Sequence, residues 1–86
     1  MTDADIRKVV LGALASVAPE LDEATLAPDK NFREQLDIDS MDFLNYVIAL
    51  HEVLNIDIAE TDYRNLLSID DAVSYIARQL KKSAAS

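Results

Sequence analysis

The stretch Leu36-Asp37-Ile38-Asp39-Ser40-Met41-Asp42 runs directly into Phe43-Leu44-Asn45-Tyr46-Val47-Ile48-Ala49-Leu50. Up to Asp39 no period is sustained; beyond it apolar residues recur three and four apart, which predicts a helix over 40–54. Met41, Leu44, Val47, Ile48, His51 and Leu54 make one face, with Phe43, Tyr46, Leu50 and Val53 on adjoining positions. Only Asp42, Asn45, Ala49 and Glu52 form a narrow polar or small stripe. A helix this apolar is central in its bundle or uses part of its flank for partners. Ser40 is expected as its N-cap, with the hydroxyl at the positive end of the helix dipole. A phosphate attached there meets free backbone N–H groups and a favourable potential. Asp-Ser ahead of an apolar helix is also the pattern of plain capping, but Phe43 stands where a capping box needs an acid or amide.

On the N-terminal side, a first helix begins at Thr2 or Asp3, where Thr2 and Asp5 approximate a capping box, and reaches about residue 17. Ile6, Val9, Val10, Ala13, Leu14 and Val17 are its apolar stripe, and Pro19 stops it. Residues 18–39 form an unusually long connection, the kind that is usually functional. Leu21, Leu26, Phe32 and Leu36 pin it to the core as an ordered loop with room for a short helical turn. On the C-terminal side, Ile56 and Ile58 lead into a short helix over 61–66. Ser68 and Asp71 approximate a capping box for a last helix to about residue 82, with Ile69, Ala72, Val73, Ile76 and Leu80 inward. Lys81 and Lys82 suit its negative end, and residues 83–86 are expected to fray. The fold class is therefore all-α: one domain over 1–82, three main helices plus one short helix, and a long ordered loop between the first and second.

Composition narrows the function. With 86 residues there is room for one modest core. Half the residues are hydrophobic, with one Gly and two Pro, which argues for a folded helical domain over a disordered one. There is no Cys, hence no disulfide, no thiolate metal site and no protein-borne sulfur nucleophile, so the core holds the fold unaided. The first ten residues carry acids before any basic pair and lack a long apolar run, reading as a helix start and not a signal peptide; no stretch approaches membrane-spanning length. A cytoplasmic monomer is expected. Net charge is −8, and Glu34, Asp37, Asp39, Asp42, Glu52, Asp57, Glu60 and Asp62 fall in a segment without Lys or Arg, leaving the remainder balanced. That segment disfavours nucleic acid and anionic membranes and favours proteins with basic patches; its bland reading is a solvated face that aids solubility.

Other chemistries fit poorly. A Ser–His pair needs His51, the single histidine, yet eleven residues along one helix is about 16 Å. Asp37, Asp39 and Asp42 suggest a calcium loop, but Met41, Asp42 and Ile48 stand at its fifth, sixth and twelfth positions. Paired carboxylates have little enclosure in so small a chain to raise a pKa. His51 is expected as a half-buried packing residue on the main apolar face. No enzymatic activity is expected.

At these residues the chain resembles the acyl carrier protein family, over nearly its whole length. Asp39-Ser40-Met41 is similar to the family's Asp-Ser-Leu signature, and the order of helices, long loop and Ala72-Val73-Ser74-Tyr75-Ile76 in the last helix matches too. The resemblance implies an acyl-carrier-like bundle and a free-standing carrier. In it Ser40 bears 4′-phosphopantetheine, donated by coenzyme A through a phosphopantetheinyl transferase, and the arm's thiol holds acyl groups as thioesters for fatty-acid, polyketide or specialised lipid biosynthesis. The absence of Cys suits that division of labour. The resemblance further implies that Asp39, Met41, Asp42 and Glu52 are read by the transferase and acyl-handling enzymes. Leu66 and Leu67 would line the entrance to a space between helices where acyl chains shelter; core packing is the alternative for Met41, Leu66 and Leu67. Asp37 stands where many fatty-acid carriers have Gly, and Asn45, His51 and Asn55 where many are acidic. An aminoacyl or D-alanyl carrier, or an unmodified helical interaction module, therefore stands as the alternative.

Overall fold

The computed structural model describes residues 1–85 and the side chains of residues 1–82. Among the described residues the elements are α1 (Asp3–Val17), α2 (Phe32–Gln35), α3 (Ser40–Leu54), a 3₁₀ segment (Glu60–Leu66) and α4 (Ile69–Ala85), with no strand. The all-α bundle of three main helices is as expected. α1 packs against both α3 and α4, and the 3₁₀ segment packs against α4. The last helix, expected to about residue 82, continues to Ala85, and Ser86, at the end of the segment expected to fray, lies outside the described residues.

α1 starts as its sequence predicts. Thr2 Oγ1 accepts from the Asp5 N–H at 3.2 Å and the Asp5 carboxylate accepts from the Thr2 N–H at 3.2 Å, a full capping box. The hydrogen bond to the Thr2 backbone, then that to its side chain, holds the Asp5 carboxyl below the usual range. Ile6, Val10, Ala13 and Leu14 are buried, while Val9 and Val17 pack partly buried at the edge.

The long connection is ordered by side chains and by hydrogen bonds to distant backbone. Leu26 and Phe32 are buried, Leu21 and Leu36 half-buried. Gln35 clasps Ala27 in both directions, accepting from its N–H at 2.7 Å and donating to its carbonyl at 3.0 Å. The Phe32 N–H donates to the Leu67 carbonyl at 2.8 Å and the Asp70 N–H to the Pro28 carbonyl at 2.9 Å, fastening the loop to the start of α4. These bonds satisfy polar backbone that a loop against the core must otherwise leave unpaired.

α3 presents a different face from the one expected. Phe43, Tyr46, Val47 and Leu50 are buried, whereas Met41, Leu44 and Ile48 are 65%, 38% and 43% exposed. The aromatic rings Phe43 and Tyr46 bury more apolar area than Met41 and Leu44, so the helix settles with them inward. His51 turns out exposed instead of half-buried in the apolar face: its Nδ1–H donates to the Ile56 carbonyl at 2.6 Å, closing the end of α3. Asn55 ends the helix in the left-handed conformation (φ 52°), which Asn tolerates better than most residues.

The short helix expected over 61–66 is a 3₁₀ segment, starting at Glu60. Tyr75, which the periodicity of α4 does not single out, is buried and donates from its hydroxyl to Asp62 Oδ2 at 2.9 Å. Burial first, and the Asp62 carboxylate second, push the Tyr75 phenol up to about 12. Ser68 is the buried cap of α4, its Oγ accepting from the Asp71 N–H at 3.1 Å.

Candidate functional site

The head of α3 is built by three neighbouring residues with distinct tasks. Buried Ile38 anchors the chain just before the turn. Asp39 is the N-cap: its extended backbone (φ −85°, ψ 179°) and Oδ1, accepting from the Asp42 N–H at 2.8 Å, take the role expected for Ser40. Ser40 is instead the first helical residue. The physical reason is that Asp39 alone has the extended backbone a cap requires, and a carboxylate there also complements the helix dipole.

That correction changes the chemistry available to Ser40. Its side chain is exposed, and among the described residues its hydroxyl makes no hydrogen bond. The Phe43 N–H is bonded to the Asp39 carbonyl at 3.0 Å and that of Asp42 to the Asp39 side chain, so the N–H groups of Ser40 and Met41 are the free donors of the first turn. A phospho-linked group on Ser40 fits this position: it has an accessible hydroxyl, two unengaged donors and the positive end of a fifteen-residue helix beside it.

Around this serine the sequence-predicted residues separate into two groups. Asp39, Met41 and Glu52 are exposed and Asp42 half-buried, all on α3 or its cap. Met41, Asn45, Ile48 and Glu52, spaced four, three and four, share one outward stripe, with Leu44 beside it. The sequence pattern groups Leu44 and Ile48 with buried Val47 on one apolar face; their nearness to Asn45 and Glu52 is the signal that points outward. Leu66, by contrast, is fully buried and does the core packing the sequence left open, its carbonyl accepting from the Tyr46 hydroxyl at 3.3 Å. Burial holds that phenol protonated far above its usual range. Leu67 is half-buried where the 3₁₀ segment meets α4.

At the head of α3 the exposed Ser40 hydroxyl thus stands open to a covalently attached group, beside an acidic, partly apolar helix face. Comparison with known proteins agrees. A family model described as "Phosphopantetheine attachment site" matches residues 8–76. The chain is 38% identical over 73 residues to the acyl carrier protein of Renibacterium salmoninarum, covering 79% of this chain and 88% of that one. It is 32% identical over 73 residues to that of Myxococcus xanthus, covering 81% and 92%, and 32% identical over 73 residues to that of Micrococcus luteus, covering 81% and 90%. The chain belongs to the acyl carrier protein family, whose prosthetic group is 4′-phosphopantetheine. Its members carry acyl groups for other enzymes and are not themselves catalysts. No helix among the described residues is long and apolar enough to cross a membrane.

Proposed function

We propose that Ser40 is the attachment point of the 4′-phosphopantetheine arm, and that the protein is a free-standing monomeric carrier. It holds acyl groups as thioesters on that arm for fatty-acid, polyketide or specialised lipid biosynthesis in the cytoplasm. The observation that carries this reading is the Ser40 hydroxyl, exposed and relieved of capping by Asp39. In the loading step Ser40 Oγ forms a bond to phosphorus of coenzyme A, its proton passes to a base of the transferase, and the adenosine bisphosphate portion leaves. The arm supplies the thiol that this chain lacks.

The outward stripe of α3 supports the assignment of partners. Asp39, Asp42 and Glu52 offer charge to basic surfaces of the transferase and acyl-handling enzymes, while Met41 offers an exposed apolar anchor between them. Leu67, half-buried where the 3₁₀ segment meets α4, is a further contact in this reading, while Leu66 belongs to the core.

The test is intact-protein mass spectrometry after incubation with coenzyme A and a broad-specificity phosphopantetheinyl transferase, beside Ser40→Ala. One phosphopantetheine gained by the unaltered chain alone is the expected result. A modified Ser40→Ala variant moves the site elsewhere, and no gain with several active transferases leaves an unmodified interaction module.

A further inference from the structure

In this protein aromatic side chains bridge α3 and the 3₁₀ segment. Phe32 meets Tyr46 edge-on, with ring centroids 5.1 Å apart and planes at 79°. Phe43 lies 5.8 Å from Tyr46 and meets Tyr63 edge-on at 6.2 Å and 72°. The first three rings come from α2 and α3 and the fourth from the 3₁₀ segment, so the cluster bridges the elements. Two hydrogen bonds hold them together, from the Tyr46 hydroxyl to the Leu66 carbonyl and from the Phe32 N–H to the Leu67 carbonyl. On the outer side the Arg33 guanidinium rests 5.5 Å above the centre of the Phe43 ring, a cation–π contact.

The position of Phe43 gives the cluster a consequence for cargo. It stands one helical turn from Ser40 on α3, with Cβ atoms about 5–6 Å apart in such pairs. An acyl chain held on the thiol of the arm and folding inward between the head of α3 and the 3₁₀ segment meets the Phe43 ring. To enter, it must displace a ring that is 8% exposed and in contact with three other rings. Interiors packed at this density do not yield without losing those contacts.

We propose that this aromatic cluster, with Phe43 at its outer edge, excludes a flexible aliphatic chain from the helix interior, so that the group carried on Ser40 stays outside the bundle. Phe43 is then a specificity-determining residue: it favours short or polar cargo, or cargo held by the partner enzyme, over long aliphatic chains. This inference rests on the reading of Ser40 as the attachment point.

Two measurements test it separately from that reading. On the unmodified chain, NMR under xenon pressure is expected to leave the Val47 and Leu66 methyl signals of the unaltered protein unmoved. In Phe43→Ala, or in the milder Phe43→Val should the first not fold, the same signals are expected to shift saturably. On the loaded protein, with mass spectrometry confirming butyryl or octanoyl cargo, the unaltered chain is expected to melt at the same temperature with either group. The Phe43 variant is expected to melt several degrees higher with octanoyl, because that chain gains a buried site. The proposal is overturned by saturable xenon shifts at those methyls in the unaltered chain. It is equally overturned by an octanoyl-dependent rise in its melting temperature, or by Phe43 variants that take up neither xenon nor chain. Failure to load counts against the Ser40 reading alone, since the xenon measurement still decides whether the cluster is closed.

Discussion

Asp39 and Ser40 are adjacent, both are capping residues by type, and only one of them holds the cap, so exchanging each for Ala separates stability from chemistry. Asp39 Oδ1 accepts from the Asp42 N–H at 2.8 Å. Losing such a cap costs about 1 kcal/mol, and losing a carboxylate at a helix N-terminus about 0.5 kcal/mol more. For a domain of this size a loss of about 1.5 kcal/mol lowers the melting temperature by roughly 6–12 °C. Asp39→Asn keeps the capping oxygen and loses the charge, so only about 0.5 kcal/mol, or roughly 2–4 °C, is expected to go, shrinking as salt screens the exposed site. Ser40→Ala removes a hydroxyl with no partner from the first helical position, where Ala is a good helix former; stability is expected to stay within about 0.5 kcal/mol while modification is abolished. Thermal unfolding of the unmodified chains by circular dichroism reads all three, and mass spectrometry reads modification on the same samples. A Ser40→Ala variant destabilised as much as Asp39→Ala refutes the argument, because it means that the serine hydroxyl is the cap.

Raising pH should weaken the fold through Tyr75. Its phenol is pushed from near 10 to about 12 in the folded chain, so between those values the unfolded chain has lost a proton that the folded one retains, and stability falls as pH rises. Tyr46 titrates in the same direction. Urea unfolding followed across this range checks the decline, and Tyr75→Phe is expected to make it shallower while costing about 1–2 kcal/mol at neutral pH for the lost bond to Asp62. Gly12→Ala places a Cβ in open space inside α1, with no atom within 4 Å, and is expected to stabilise the chain by about 0.5–1 kcal/mol; an unchanged or lower urea midpoint contradicts that. Association with the transferase is expected to weaken severalfold between about 0.05 M and 0.5 M salt, since the acids of 34–62 supply long-range attraction. Binding insensitive to salt in surface plasmon resonance removes that role from the charge.

Much of the framework was legible from residue order, because local physics sets it. The Thr2–Asp5 capping box, the start of α3 beside Ser40 and the Ser68 cap of α4 follow from side chains reaching backbone three residues away, and the stop before Pro19 from the missing N–H and fixed φ of proline. The loop anchors Leu26 and Phe32 were also readable, since lone apolar residues in a polar connection have few places to go but the core. The 3₁₀ character of Glu60–Leu66 was not, because its seven residues carry no periodicity that separates it from a short α-helix.

By itself, the sequence determined that the chain is a small helical bundle, that its excess negative charge lies between Glu34 and Asp62, and that Ser40 opens its most apolar helix. Tertiary structure alone decided which side of that helix faces in. Apolar residues occupy most of its circumference, so several orientations satisfy the local pattern, and contact with Phe32, Tyr63 and the α1 face selects the one that buries Phe43 and Tyr46. The same selection turned Met41, Leu44 and Ile48 outward beside Ser40. It also gave the cap to Asp39 over Ser40, since which of two adjacent capping residues leaves the helical conformation depends on where buried Ile38 anchors the incoming chain.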